Sequence, residues 1–192
     1  MATEDLDNSD ELLVDEMRRG SSAALAALFD RHADAVYTYC FRRSASWHTA
    51  EDATSTVFLE YWRGRVRAKV HDDSALPWLY GIARNVCRSA DRSSRRLNRA
   101  LQRVPHEGSA SAGDEMADAV AGRVDSEHQM AAVLEAIAAL PEREREVFEL
   151  VVWAGESYEA TAAALTIPVG TVRSRLSRAR RRLSLSIDDP AS

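Results

Sequence analysis

The chain has 192 residues, 45% hydrophobic and 29% charged, enough to bury a core in one large domain or two small ones. Its N-terminus is acidic and lacks the apolar segment of a signal peptide. No uninterrupted apolar run approaches membrane-spanning length, so a soluble cytoplasmic protein without membrane insertion is expected. Cys40 and Cys87 are far apart in sequence and without zinc-site spacing, and the five histidines are scattered. That pattern predicts two reduced thiols, no metal and no cofactor.

A net charge of −5 would argue against a nucleic-acid ligand if it were evenly spread, and it is not. Residues 1–16 hold seven acids and no base, whereas Arg173 to Arg182 hold six arginines and no acid. Lys69 is the only lysine. Arginine suits forked contacts to phosphates and base edges, although a biased base composition of the gene gives the same usage.

In chain order, residues 1–9 read as an acidic disordered tail and 10–103 as a first domain. Within it, Leu25, Leu28, Phe29, His32, Val36, Tyr37 and Cys40 recur at three- and four-residue steps, as do Ala53, Val57, Phe58, Tyr61 and Trp62. Both stretches predict amphipathic helices. Arg65 to Ala75 breaks the pattern, with His71, Asp72, Asp73 and Ser74 as turn formers, and a further helix is expected from Pro77. Trp78 aligns with Ile82 and Val86, and Trp62 with Phe58, which favours core packing over base stacking for both tryptophans.

Residues 104–126, rich in Ala, Gly, Ser and Asp, predict a flexible linker. A second domain, 127–186, opens with Met130, Val133, Leu134, Ile137 and Leu140 at helical spacing and restarts at Pro141. That helix should end at Gly155. A short helix from Ser157 to Leu165 and a last one from Pro168 to Leu183 complete it, with 187–192 as a tail. No segment alternates, so the expected class is all α, two small helical domains on a flexible linker.

Two helices carry opposed faces. In the last one, Val169, Val172, Leu176, Ala179 and Leu183 form an apolar stripe, while Gly170, Ser174, Ser177, Arg178 and Arg181 lie opposite, with Thr171 and Arg173 at the margins. A helix of this kind after a tight turn has the form of a helix-turn-helix whose second helix enters the major groove; a merely solvated arginine face is the alternative. The helix from Pro77 has Leu79, Ile82, Ala83, Val86 and Ala90 on one side and Gly81, Asn85, Arg88, Arg92 and Arg95 on the other. From Arg84 to Arg103 seven arginines face a single acid, Asp91.

The run LPEREREVFELVVWAGESYEATAAALTIPVGTVRSRLSRARRRL, Leu140 to Leu183, resembles region 4 of the extracytoplasmic-function (ECF) group of bacterial sigma factors. ALPWLYGIARNVCRSADRSSRR, Ala75 to Arg96, resembles region 2.4 of the same family, and AEDATSTVFLEYWR, Ala50 to Arg63, resembles region 2.2. The resemblance implies a transcription initiation factor with no catalysis of its own. It implies that Arg173, Ser174, Ser177 and Arg178, with Thr171 beside them, approach bases of the upstream, minus-thirty-five element, and that Arg175 and Arg181 hold phosphates. Asn85, Arg88 and Arg92, with Arg95 and Arg96, would face the downstream, minus-ten element, and Val66 to Ser74 would form the loop that captures an unstacked base.

Partners follow from the same resemblance: promoter DNA, the clamp helices and flap region of core RNA polymerase, and a dedicated anti-sigma factor, which the family commonly has. Glu51, Asp52, Leu59 and Glu60 are the candidate polymerase contacts. Ser55 and Thr56 stand beside them where the family usually has Gln and an acid, which shortens two side chains expected to reach the partner. Thr161 stands where an aliphatic residue is usual and Thr166 where glycine is usual, so that the turn before the last helix either differs or carries strain. A stand-alone helix-turn-helix regulator is the competing reading, disfavoured by the region 2 motifs. An enzyme would need a phosphate loop, nucleophile elbow or catalytic carboxylate motif that the chain lacks.

Overall fold

The computed structural model describes residues 9–101 and 135–188. The expected linker, residues 1–8, and Met130, Val133 and Leu134 of the predicted helix lie outside them. The all-α class is borne out: among the described residues every regular element is helical, apart from one bridge between His71 and Ser74.

The first group comprises α1 (Asp10–Arg18), α2 (Ser22–Ser44), α3 (Trp47–Arg63) and α4 (Leu76–Leu101), with a 3-10 turn at Arg65–Arg67. Serine sets the start of the first three. The hydroxyls of Ser9, Ser21 and Ser46 accept from the amides of Leu12, Ala24 and Thr49, satisfying donors that the first helical turn leaves unpaired. α2 lies at the centre and packs on α1, α3 and α4. Met17, Leu28, Val36, Val57, Tyr61 and Leu79 form the fully buried core between them. Trp62 and Trp78 are half-buried against that core, as their alignment predicts. Cys40 and Cys87, distant in sequence, are buried neighbours with sulfurs 3.9 Å apart and no disulfide.

The second group begins with a short helical segment, 135–139, followed by α5 (Glu142–Phe148), which continues as a wider π-helical turn through Glu149–Trp153. Gly155 then turns the chain at φ +73°. α6 (Tyr158–Leu165), capped by Ser157, leads into α7 (Val169–Asp188), which runs one turn past the expected end at Leu183. Val147, Leu150, Leu165, Val172 and Leu176 close this core. The two groups meet where α4 crosses α6. There Gly81 is required by proximity, since a Cβ at this position would lie 2.8 Å from the Ala164 carbonyl oxygen.

The α6–α7 turn resolves the question posed by its sequence. Thr166 is left-handed, at φ 54° and ψ 49°, and its amide closes the end of α6 on the Ala162 and Ala163 carbonyls. The turn keeps its geometry and carries the strain. Thr161 is fully buried, and its hydroxyl has no hydrogen-bond partner among the described residues. Thr166→Gly should therefore stabilise the protein by about 1 kcal/mol through relief of the left-handed backbone cost. Thr161→Val should add about 1 kcal/mol by removing an unsatisfied buried hydroxyl. Both are read as an increase in thermal midpoint, and a fall with Thr166→Gly would show the turn to be unstrained.

Candidate nucleic-acid interface

α7 presents its two faces as the sequence predicts. Val172, Leu176 and Ala179 are buried, while Arg173, Ser174, Ser177, Arg178 and Arg181 are exposed and Thr171 and Arg175 half-buried. The exposed row is held in place locally. The Ser174 hydroxyl donates to the Thr171 carbonyl, Arg178 Nε donates to the Ser174 carbonyl at 3.3 Å, and the Arg173 guanidinium lies 5.9 Å from the Tyr158 ring centre. The crowded arginines also have an acidic neighbour that the sequence did not suggest. Glu144 on α5 lies 3.0 Å from Arg182 and 3.7 Å from Arg178, relieving part of the repulsion along the helix.

On α4, Asn85, Arg92 and Arg96 are exposed, and the side chain of Arg95 lies outside the described residues. Arg88 is different. Its Nε lies 2.6 Å from Glu142 Oε1, and one turn earlier Arg84 Nε donates to Glu146 Oε1 at 2.6 Å. Two arginines four residues apart on α4 thus meet two glutamates four residues apart on α5, in antiparallel order. A third contact lies deeper, where Arg43 of α2 donates to Glu149 at 2.8 Å with side chains 3% and 2% exposed. Burial pushes the Glu149 carboxyl above its ordinary value even with Arg43 and Arg145 beside it.

The segment before α4 forms a tight loop, with Asp72 and Asp73 both at positive φ and His71 and Ser74 exchanging backbone hydrogen bonds of 3.0 Å. Positive φ is better tolerated by Asp than by most residues, because its short side chain can hydrogen-bond locally. Lys69, Val70 and His71 line a cleft of about 490 Å³ whose far wall is Thr166, Ile167 and Pro168 of the second group. The loop therefore faces the turn of the helix-turn-helix. On α3, Glu51, Asp52, Ser55, Thr56, Leu59 and Glu60 share one exposed face, opposite the buried Ala53, Val57 and Phe58.

Sequence reasoning missed the glutamates of α5, together with Arg43, Arg84 and Asp10. One signal was available. Glu142 and Glu146 recur at a step of four, the same step as Arg88 and Arg84, the arginines they meet.

Two helical groups, one a helix-turn-helix with a basic outer face and the other led by a second basic helix, define a two-part DNA-reading protein. Residues 28–97 match the family description Sigma-70 region 2, and residues 130–183 match Sigma-70, region 4. The RNA polymerase sigma factor HrpL of Pseudomonas syringae pv. syringae is 33% identical over 176 residues, 91% of this chain and 94% of that protein. The ECF RNA polymerase sigma factor SigL of Mycobacterium tuberculosis is 29% identical over 171 residues, 88% and 91% of the two chains. CnrH, solved in complex with the cytosolic domain of CnrY, shares the fold at a TM-score of 0.65 and 22% identity over 95% of this chain and 99% of that one. The chain belongs to the sigma-70 family of RNA polymerase sigma factors, in its ECF group. Its function is that of the family: it binds core RNA polymerase and directs promoter-specific initiation. Among the described residues no helix is long and apolar enough to cross a membrane.

The charge ladder yields a graded expectation. Glu146 is 1% exposed and Arg84 21%, so Glu146→Ala leaves a largely buried guanidinium without its carboxylate and should cost about 3 kcal/mol or more. Hydrogen exchange should speed up along α5 and α6. Glu142→Ala removes the outer contact, where both partners reach solvent, and should cost under about 1 kcal/mol. Equal effects of the two changes would show that burial does not set the strength of the ladder.

Proposed function

We propose that this sigma factor reads its promoter with two separate basic surfaces and docks on the polymerase through α3. Arg173, Ser174, Ser177 and Arg178 approach bases of the minus-thirty-five element from the major groove, while Arg175 and Arg181, with Thr171 at the margin, fix the register through phosphates. Asn85, Arg88, Arg92, Arg95 and Arg96 face the minus-ten element, and the loop 66–74 receives the base that leaves the stack. Leu59, set among Glu51, Asp52, Ser55, Thr56 and Glu60, supplies an apolar point within a polar face for the clamp helices. The second group meets the flap. The protein acts in the cytoplasm and is not an enzyme. An anti-sigma partner is supported by a solved structure of the same fold, RpoE with the anti-sigma factor NepR from Bartonella quintana.

The observation that carries this reading is the one-sided display on α7, with every candidate base-reading side chain on the solvent face and Val172, Leu176 and Ala179 of the apolar stripe buried. A second observation bears on the free protein. Arg84 and Arg88 are paired with Glu146 and Glu142, so in the free chain these two arginines offer DNA less positive surface than the exposed Arg92 and Arg96 of the same helix. Docking on polymerase would hold the two groups at promoter spacing and make the second DNA contact effectively intramolecular.

The purified chain should bind a promoter duplex weakly and with little sequence preference, and core polymerase should convert this to a specific complex with an opened minus-ten region. A mobility shift with permanganate footprinting, with and without core enzyme, reads both. Tight sequence-specific binding by the chain alone, without strand opening, would instead identify a self-sufficient helix-turn-helix regulator. Arg178→Ala should weaken promoter use by about 1 to 3 kcal/mol and relax preference in the upstream element only. An equal loss on all upstream sequences would reassign Arg178 to phosphate binding.

A further inference from the structure

α1 lies at the N-terminal edge of the described chain, in the acidic stretch whose charge is easily taken for a solvated repellent tail. Asp10 is nothing of the kind. It is 2% exposed, and both carboxylate oxygens are occupied: Oδ1 accepts from Arg31 at 2.6 Å, while Oδ2 lies 2.6 Å from His32 Nε2 and accepts the Ala75 amide at 2.7 Å. Burial works against the charged form, yet the bonds from His32, Ala75 and Arg31 together hold the carboxyl below its ordinary value. The Ala75 amide is the last before α4 begins, and therefore the end of the loop.

The same helix holds the loop at two further points. The Glu11 amide donates to Asp73 Oδ1 at 3.3 Å, and at the far end of α1 the Arg18 guanidinium donates to the Ala68 carbonyl. Ala68 and Ala75, the two anchored residues, are both buried. Asp10 and Arg18 are eight residues apart, about 12 Å along a helix, so α1 spans the loop from one end to the other. Between the anchors, Lys69, Val70 and His71 line the cleft. The His71–Ser74 bridge closes the tip of the loop, whose two residues at positive φ need support from their surroundings, and these ties hold its two ends from outside.

We propose that α1 is a splint for the minus-ten capture loop, and that Asp10 and Arg18 are positioning residues for the unstacked base, acting through the backbone of Ala75 and Ala68 without touching DNA. The proposal rests on the assignment of 66–74 as the capture loop. A base leaves its stack at a cost of a few kcal/mol, returned only by a pocket already in the right shape. Loosening either anchor spreads the loop over several shapes. The loss then falls on recognition of that base rather than on upstream reading or polymerase affinity.

The test uses holoenzyme reconstituted from the full-length chain and core polymerase. The readouts are the ratio of open-complex formation on a promoter against the same promoter with the captured minus-ten base substituted, and the fluorescence of 2-aminopurine at that position. Asp10→Ala and Arg18→Ala should each lower the ratio on the order of tenfold and reduce the 2-aminopurine signal. Upstream-element discrimination and core affinity should stay unchanged. Asp10→Asn, which keeps a carbonyl oxygen for the Ala75 amide, should retain most of the ratio. Arg18 is partly exposed, so its substitution remains informative should Asp10→Ala fail to fold. An unchanged ratio in Arg18→Ala, or an equal loss at both promoter elements in either variant, overturns the splint. Lys69→Ala with His71→Ala separates the two layers of argument: a lowered ratio here with none in the α1 variants keeps the capture loop and removes the splint, and no effect in any variant removes the capture loop itself.

Discussion

Three carboxylates on one short helix join the two halves of this protein. Glu142, Glu146 and Glu149 run along α5 and into its π-helical continuation, from the surface to the interior, and each receives an arginine from the first group: Arg88, Arg84 and Arg43. An ionised carboxylate as deeply buried as Glu146 or Glu149 is tolerated only with partners, because its desolvation costs several kcal/mol. The raised proton affinity of Glu149 shows that even paired it is not fully compensated. Apolar residues of equal volume would hold the halves together at least as well. What ion pairs add is direction, since an antiparallel ladder with matched four-residue steps accepts one register of α4 against α5 and penalises the others. The approach of Gly81 to the Ala164 carbonyl is a second, separate constraint, which sets how closely α4 meets α6.

This arrangement changes the meaning of the overall charge. A net −5 and an acidic first stretch suggest repulsion of DNA by a diffuse acidic tail. In the structure, Asp10 is an internal hydrogen-bond acceptor, and the acids that most directly oppose DNA binding lie in the second group, paired with the α4 arginines and with Arg178 and Arg182 of α7. Charge is cancelled locally at Arg84, Arg88, Arg178 and Arg182, while Arg92, Arg96, Arg173 and Arg181 stay on the exposed faces.

What could be read from the sequence, and what could not, divides along sequence distance. The faces of α7, the break before α4, the serine-led α6 and the core setting of Trp62 and Trp78 all follow from patterns within one helix, where three- and four-residue steps fix which side chains share a face; on α4 the expected outer face is divided, since Gly81 packs against α6 and Arg88 is held by Glu142. Thr166 could be recognised as a problem for the same reason, though not which of two solutions the turn adopts. The pairings in the ladder and the splint could not be read because each joins residues far apart in the chain, 62 positions for Arg84 and Glu146 and 65 for Asp10 and Ala75, although the matching four-residue steps of the ladder were visible in each helix. The π-helical turn after Phe148 also gave no local signal. Glu149 and Leu150, which open it, are as compatible with an ordinary α-helix as with the wider turn.

The ladder also ties the shape of the protein to the ionic strength around it. Mobile ions screen exposed pairs far more than buried ones, so added salt weakens the Arg88–Glu142 rung first and leaves the Arg43–Glu149 rung nearly intact. Salt weakens attraction between arginines and DNA phosphates as well, by counterion release. The two effects oppose each other at Arg88: the conditions that loosen its hold on Glu142 also reduce what DNA would gain by taking its place. An exchange of Glu142 for DNA at Arg88 would thereby be partly buffered against changes in salt, a property that an apolar contact at this position would not confer.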